Sequence, residues 1–184
     1  MKKLFVTTFM FLMFATMQAQ IVQSRSSGYT KYNHPTKNYI AVDLGAGSMT
    51  GDFEDTEFGL DLGVRWTMML NDNLGWDVLK LSAQSDTGNF DRYFSVQLKS
   101  GVRGVTPVVL GNCSIYGNFA LGYGYYTHFE KGDLAYEFGA GVNITPKVSL
   151  GVAYNICNFT DDYSDWDEED IKVGLFSVRL SYRF

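Results

Sequence analysis

The chain has little proline, cysteine or histidine: three, two and two among 184 residues. So few prolines exclude a polyproline or collagen-like rod. Two cysteines cannot form the dense disulfide framework of a small stapled domain. Positive charge is also in deficit, with a formal net charge of -5 and an isoelectric point near 4.9. A nucleic-acid binder needs a basic face, so that class of partner is excluded. Beyond the first twenty residues no apolar run is long enough for a membrane-spanning helix, and nothing has a helical period. What the chain has instead is glycine, tyrosine and phenylalanine, at 19, 12 and 14 residues, a composition suited to strands and turns.

The N-terminus reads separately from the rest. Met1-Lys2-Lys3 is a positive start, Leu4 to Met17 is uncharged and apolar, and Ala19 is a small residue suited to cleavage. This is the layout of an export signal over residues 1–19, with cleavage expected after Ala19. The alternative, a single anchoring helix, is disfavoured by the short run and the small residue at its end. No cysteine stands near that point, so an acylated anchor is not expected. Residues 20–37 read as a polar leader, and residues 38–184 as one folded domain.

From Asn38 onward, apolar and polar residues alternate with a period of two, the signature of strands that bury or expose one face. Phe58, Leu60, Leu62, Val64, Trp66, Met68 and Leu70 share one face, opposite Gly59, Asp61, Gly63, Arg65 and Thr67. The same division recurs around Val42, Val96, Leu121, Phe138, Val152 and Val178. A third segment, Trp76 to Ala83, is weaker, with Leu79 and Leu81 opposing Val78, Lys80 and Ser82. Turn residues fall between segments: Asn71 to Gly75, Asp86 to Asn89, Gly104 to Gly111, Lys131 to Asp133, and Thr145-Pro146-Lys147. Strands joined by such turns pair antiparallel. The count is about eight.

Which face carries the bulk decides the environment. A soluble barrel fills its interior with large apolar side chains and keeps its outside polar. Here the second face is glycine, serine, asparagine and charge, which makes a poor dry core but a natural hydrated interior. The segments also reach the roughly 9–11 residues that a tilted strand needs to cross a bilayer. A mean hydropathy of -0.09 agrees, since polar lumen residues offset the lipid face. Trp66, Trp76, Tyr123, Tyr125, Tyr136 and Tyr154 stand near segment ends, where interfacial girdles form. The expected fold is all-β: a closed antiparallel up-and-down transmembrane β-barrel.

The C-terminus sharpens this. Phe176, Val178, Leu180, Tyr182 and Phe184 alternate to the last residue with Ser177, Arg179, Ser181 and Arg183 between them. The closing Ser181-Tyr182-Arg183-Phe184 resembles the C-terminal signature of bacterial outer-membrane barrels, and the mature chain resembles the small barrels of the OmpA and OmpX types. The resemblance implies export to the outer membrane of a Gram-negative bacterium. It also implies recognition of the five outward residues by the barrel-assembly machinery, an even strand number, and both chain ends on the periplasmic side. Partners would be outer-membrane lipid and lipopolysaccharide, and the barrel would be a monomer. The outer loops would then be 47–56, 85–89, 127–132 and 158–170, the first and last of them long.

Candidate site residues collect on the polar face: Asp43, Asp61, Arg65, Lys80, Lys99, Arg103, Glu137 and Arg179. Enclosed charges must pair, so a network that blocks the lumen is expected; a surface selecting solutes in a narrow porin-like channel is the alternative. The acidic run Asp161 to Asp170 lacks the glycine and terminal glutamate spacing of a calcium loop and reads as a solvated loop, with divalent ions left open. His34 and His128 have no nucleophile pattern around them, so a lipid-modifying enzyme is the least favoured function and no catalytic residue is assigned. Gly122-Tyr123-Gly124 and Gly139-Ala140-Gly141 precede no helix and so are not phosphate loops; no cofactor is expected. Cys113 and Cys157 fall on non-neighbouring strands and read as free thiols. A substitution on the polar face such as Gly122→Ser is expected to be mild.

Overall fold

The computed structural model describes residues 38–51, 58–87, 94–107, 113–127, 131–161 and 169–184. The export signal, the leader, His34, His128 and residues 162–168 of the acidic run lie outside them. Eight strands follow one another: β1 (Asn38–Gly51), β2 (Phe58–Met69), β3 (Leu74–Asp86), β4 (Ser95–Val105), β5 (Ser114–Tyr126), β6 (Lys131–Asn143), β7 (Val148–Asp161) and β8 (Glu169–Arg183). Each pairs antiparallel with its neighbours in sequence, and β8 pairs with β1 to close the barrel. Closure removes the unpaired edge that an open sheet would present to lipid. Strands of 11 to 15 residues meet or exceed the crossing length for a tilted strand.

The faces divide as the alternation requires. Leu44, Leu62, Leu98, Leu121, Phe138, Leu150 and Leu180 point outward, each about half exposed, whereas Arg65, Lys80 and Lys99 are at 2% or less. Large apolar residues outside and charges inside are the inverse of a water-soluble protein. Trp66, Trp76, Tyr182 and Phe184 are exposed toward the short-turn end of the barrel; Phe58, Tyr123 and Tyr125 are exposed toward the other.

Two expectations about boundaries change. The ladders run further toward the longer connections than expected: Asn158 to Asp161 pair with Lys172 to Glu169, and β1 continues to Gly51. The connections are therefore 52–57, 87–94, 127–130 and 162–168, shorter at the first and last than the sequence suggested. Backbone groups that would otherwise be unpaired are satisfied by prolonging the ladder, and charged side chains at strand ends do not prevent it. The weak third segment has a specific cause as well. Val78 is an extra residue in β3, since Trp66 pairs with Leu79 while Thr67 pairs with Asp77, and the β3–β4 register shifts at the same place. This β-bulge turns Asp77 inward while Trp76 and Leu79 both face out, a change of phase that strict alternation cannot follow. Ser100 secures it: its hydroxyl accepts from the Trp76 indole at 3.0 Å and donates to the Asp77 carbonyl at 3.1 Å.

Gly122 needs correction too. A Cβ there would overlap the carbonyl oxygen of Leu98 and stand 2.6 Å from the Cα of Lys99, because β4 and β5 approach closely where the small barrel curls. Gly63 faces the same interior with its nearest contact at 3.3 Å. Gly122→Ser is therefore expected to lower folding yield and thermal stability clearly, and Gly63→Ala to change them much less. The unheated gel mobility of the two refolded variants in detergent tests this.

Candidate functional site

An eight-stranded barrel leaves room inside for side chains and little else, so the lumen is the candidate site. Three zones follow one another along its axis. At the end toward the longer connections Met49, Tyr126, Ala135, Cys157, Val173 and Leu175 form an apolar cluster. They reach it because β1, β5, β6, β7 and β8 bring inward-facing positions near their ends together, where small Gly59 and Gly124 leave space. The sequence pattern missed this cap, since β8 begins seven residues before the alternation that starts at Phe176. Cys113 and Cys157 are both free.

The middle is ionic. Glu137 on β6 is fully buried and accepts from three cations: Oε1 from Lys80 Nζ and from Arg179 Nη1 at 2.7 Å, Oε2 from Lys99 Nζ at 3.1 Å. Asn118 Nδ2 adds a further donor at 3.1 Å. Lys99 also donates to Gln97 Oε1 at 2.7 Å and to Asn155 Oδ1 at 2.6 Å. Arg179 donates to Asp61 through Nη2, and Lys80 stands 3.8 Å from Asp43. Asp43 in turn holds Arg65 Nη1 at 3.3 Å. The network runs on through Asp77, which stands 3.7 Å from Arg65 and 3.6 Å from Arg103 and accepts from Thr67 Oγ1 at 2.6 Å.

All eight residues assigned to the polar face, Asp43, Asp61, Arg65, Lys80, Lys99, Arg103, Glu137 and Arg179, stand in this one connected set. Asp77 belongs to it and was missed because of the bulge. The third zone, toward the short turns, is basic and aromatic. Arg103 stacks over the Tyr116 ring at 4.5 Å and Arg183 over Tyr39 at 5.1 Å, and Arg183 donates to Asn143.

The outward residues of the last strand, Phe176, Val178, Leu180, Tyr182 and Phe184, are all exposed. Tyr182 and Phe184 meet edge to face at 5.0 Å, and the Phe184 amide donates to the Ile40 carbonyl at 2.9 Å, so the final residue is fastened to β1. Among the described residues no cluster of histidine, cysteine and carboxylate side chains could hold a metal ion.

Residues 7–184 match a sequence family described as the outer membrane protein beta-barrel domain. No curated protein matches the chain in sequence. Among solved structures it is similar to the outer membrane enzyme PagL (11% identity, TM-score 0.55, covering 77% of this chain and 98% of that one). It is also similar to Neisserial surface protein A (11% identity, TM-score 0.51, covering 81% and 98%). At such identities the likeness is one of fold.

Proposed function

The chain belongs to the family of outer-membrane β-barrel domains, and from that premise we propose that it is a closed-lumen barrel with a structural or surface-contact role, without catalysis. One observation carries the reading: the ion network spans the interior, with Glu137 joining cations from β3, β4 and β8. A solute entering from either end meets that network, and from one end it first meets the apolar cluster around Tyr126 and Leu175. Opening a path would part several buried ion pairs at once, each costly to break.

The fold itself assigns no activity, since one similar structure is an enzyme and another a surface protein. The reading without catalysis rests on the sparse histidines of the sequence and on a lumen whose central carboxylates, Asp43, Asp61, Asp77 and Glu137, are committed to ion pairs. Export through a cleaved signal and life as a monomer among outer-membrane lipids belong to the same proposal. Recording from single barrels in planar bilayers tests it. No conductance steps above background are expected; discrete, reproducible steps would replace the closed barrel with a narrow channel.

A further inference from the structure

Charge is not balanced along the lumen. Six buried cations face five buried carboxylates among the described residues, and the excess lies at the short-turn end. Arg65 and Arg183 occupy one row of the sheet, both opposite Ala41 on β1, which sets their Cα atoms about 10 Å apart. Arg103 faces the same space from β4. Arg103 lies over the ring of Tyr116 and Arg183 over that of Tyr39 at this end.

Asp77 serves Arg65 and Arg103 together. Arg183 has an amide oxygen of Asn143 and the face of Tyr39 as partners, and no carboxylate among the described residues. Arg103 Nε and Nη1 and Arg183 Nε are buried donors without a hydrogen bond. A guanidinium taken out of water in this way is costly unless an anion faces it.

The chain itself has little to offer there. No aspartate or glutamate precedes Asp43 in the sequence, so the stretch leading into β1 supplies none, and residues 106–113 and 144–147 contain none. The remaining short turn, 70–73, holds Asp72, which is exposed. The C-terminal carboxylate after Phe184 stands at this end too, but no ion pair joins it to Arg103 or Arg183 among the described residues, which leaves their donors open to a counter-charge from outside.

We propose that the short-turn mouth of the barrel is a binding site for a phosphoryl oxyanion, gripped by Arg103 and Arg183. A carboxylate has two coplanar oxygens that a single guanidinium fork saturates. Free donors arriving from β4 and β8 suit a tetrahedral anion with more oxygens, the geometry for which arginine forks are well made. Tyr116 and Tyr39 hold the two guanidinium planes by stacking, so the site is ordered before the anion arrives. Access is assigned to the turn side: Arg183, Tyr39, Tyr116 and Asn143 keep 4–5% of their surface exposed and Arg103 keeps 1%, whereas Lys80 and Glu137 beyond them keep none.

The site is tested with the full chain refolded in maltoside micelles, which contain no phosphate. Inorganic phosphate is titrated against chloride at matched ionic strength and followed by calorimetry. In a second arm a short-chain phosphatidylglycerol is titrated below its own micelle concentration. Saturable binding of one anion per barrel is expected, and whichever of the two binds more tightly identifies the source as free anion or lipid headgroup. Arg103→Gln and Arg183→Gln should each weaken it at least about tenfold, while Lys147→Gln, an exposed turn lysine at the same end, should leave it unchanged. Should either variant fail to fold, Arg183→Lys keeps the charge but not the fork and should still bind more weakly.

Binding no better than in the chloride control, or equal binding by the arginine variants, overturns the site. A barrel that conducts yet binds phosphate would overturn only the closed lumen.

Discussion

Glutamine at position 137 is expected to destabilise the folded barrel by about 3–5 kcal/mol, the range for removing one partner from a buried ion pair. The substitution keeps the volume of the side chain and its hydrogen-bonding shape while deleting its charge. Lys80, Lys99 and Arg179 then face one another across the lumen with fewer carboxylates among them: Asp43 at 3.8 Å from Lys80, and Asp61 at Arg179. Lys99 is left with the amide oxygens of Gln97 and Asn155. Urea unfolding in detergent, followed by tryptophan fluorescence and by loss of the fast unheated gel band, measures the effect.

A double variant separates charge imbalance from lost packing. Adding Lys80→Met to Glu137→Gln removes a cation along with the anion and should recover part of the loss. A loss below about 1 kcal/mol for Glu137→Gln, the value of a solvent-exposed pair, would mean that water screens the network. The closed-lumen reading would then lose its support.

How far the sequence leads depends on whether a feature is carried by side-chain phase or by backbone geometry. Alternation around Leu62, Leu121, Phe138 and Leu180 reveals the strands, their faces and the inside-out arrangement, because a period of two is written directly in residue type. The lumen charges are legible for the same reason, and strand order follows once each turn joins neighbours. Val78 marks where this fails. One inserted residue reverses the phase of β3, and Asp77, which links Arg65 to Arg103, becomes invisible to a rule that counts by twos.

Gly122 fails differently. Its face is right, but the closeness of β4 to β5 is a property of barrel curvature that no single strand encodes. The apolar cap around Met49, Tyr126 and Leu175 is hidden because its members are scattered over the ends of five strands and meet only when the barrel closes. In the sequence Arg183 is one more polar residue of the last strand; its meaning appears when closure of β8 on β1 sets it one residue from Arg65 across the sheet.

The orientation of the outer face yields the other large effect. Leu121 lies near the middle of β5, paired with Ser100 and Tyr136 on the neighbouring strands, and is 45% exposed. Leu121→Arg is expected to destabilise the barrel by about 2–4 kcal/mol in a bilayer, the value for a cation at the midplane of a lipid-facing strand. Depth supplies the control. Leu70 is 57% exposed but stands in the turn after β2, where an arginine side chain can extend to the headgroups; Leu70→Arg should therefore change stability by roughly 0–1 kcal/mol.

In water the two arginines would differ little and neither would destabilise much, because an exposed leucine gains nothing from solvent contact. The difference between the variants thus reports the surroundings rather than the fold, since both barrels must close to be compared. Unfolding free energies for the two variants in lipid vesicles decide the matter. Equal values would mean that Leu121 is not held among acyl chains, however well the barrel forms.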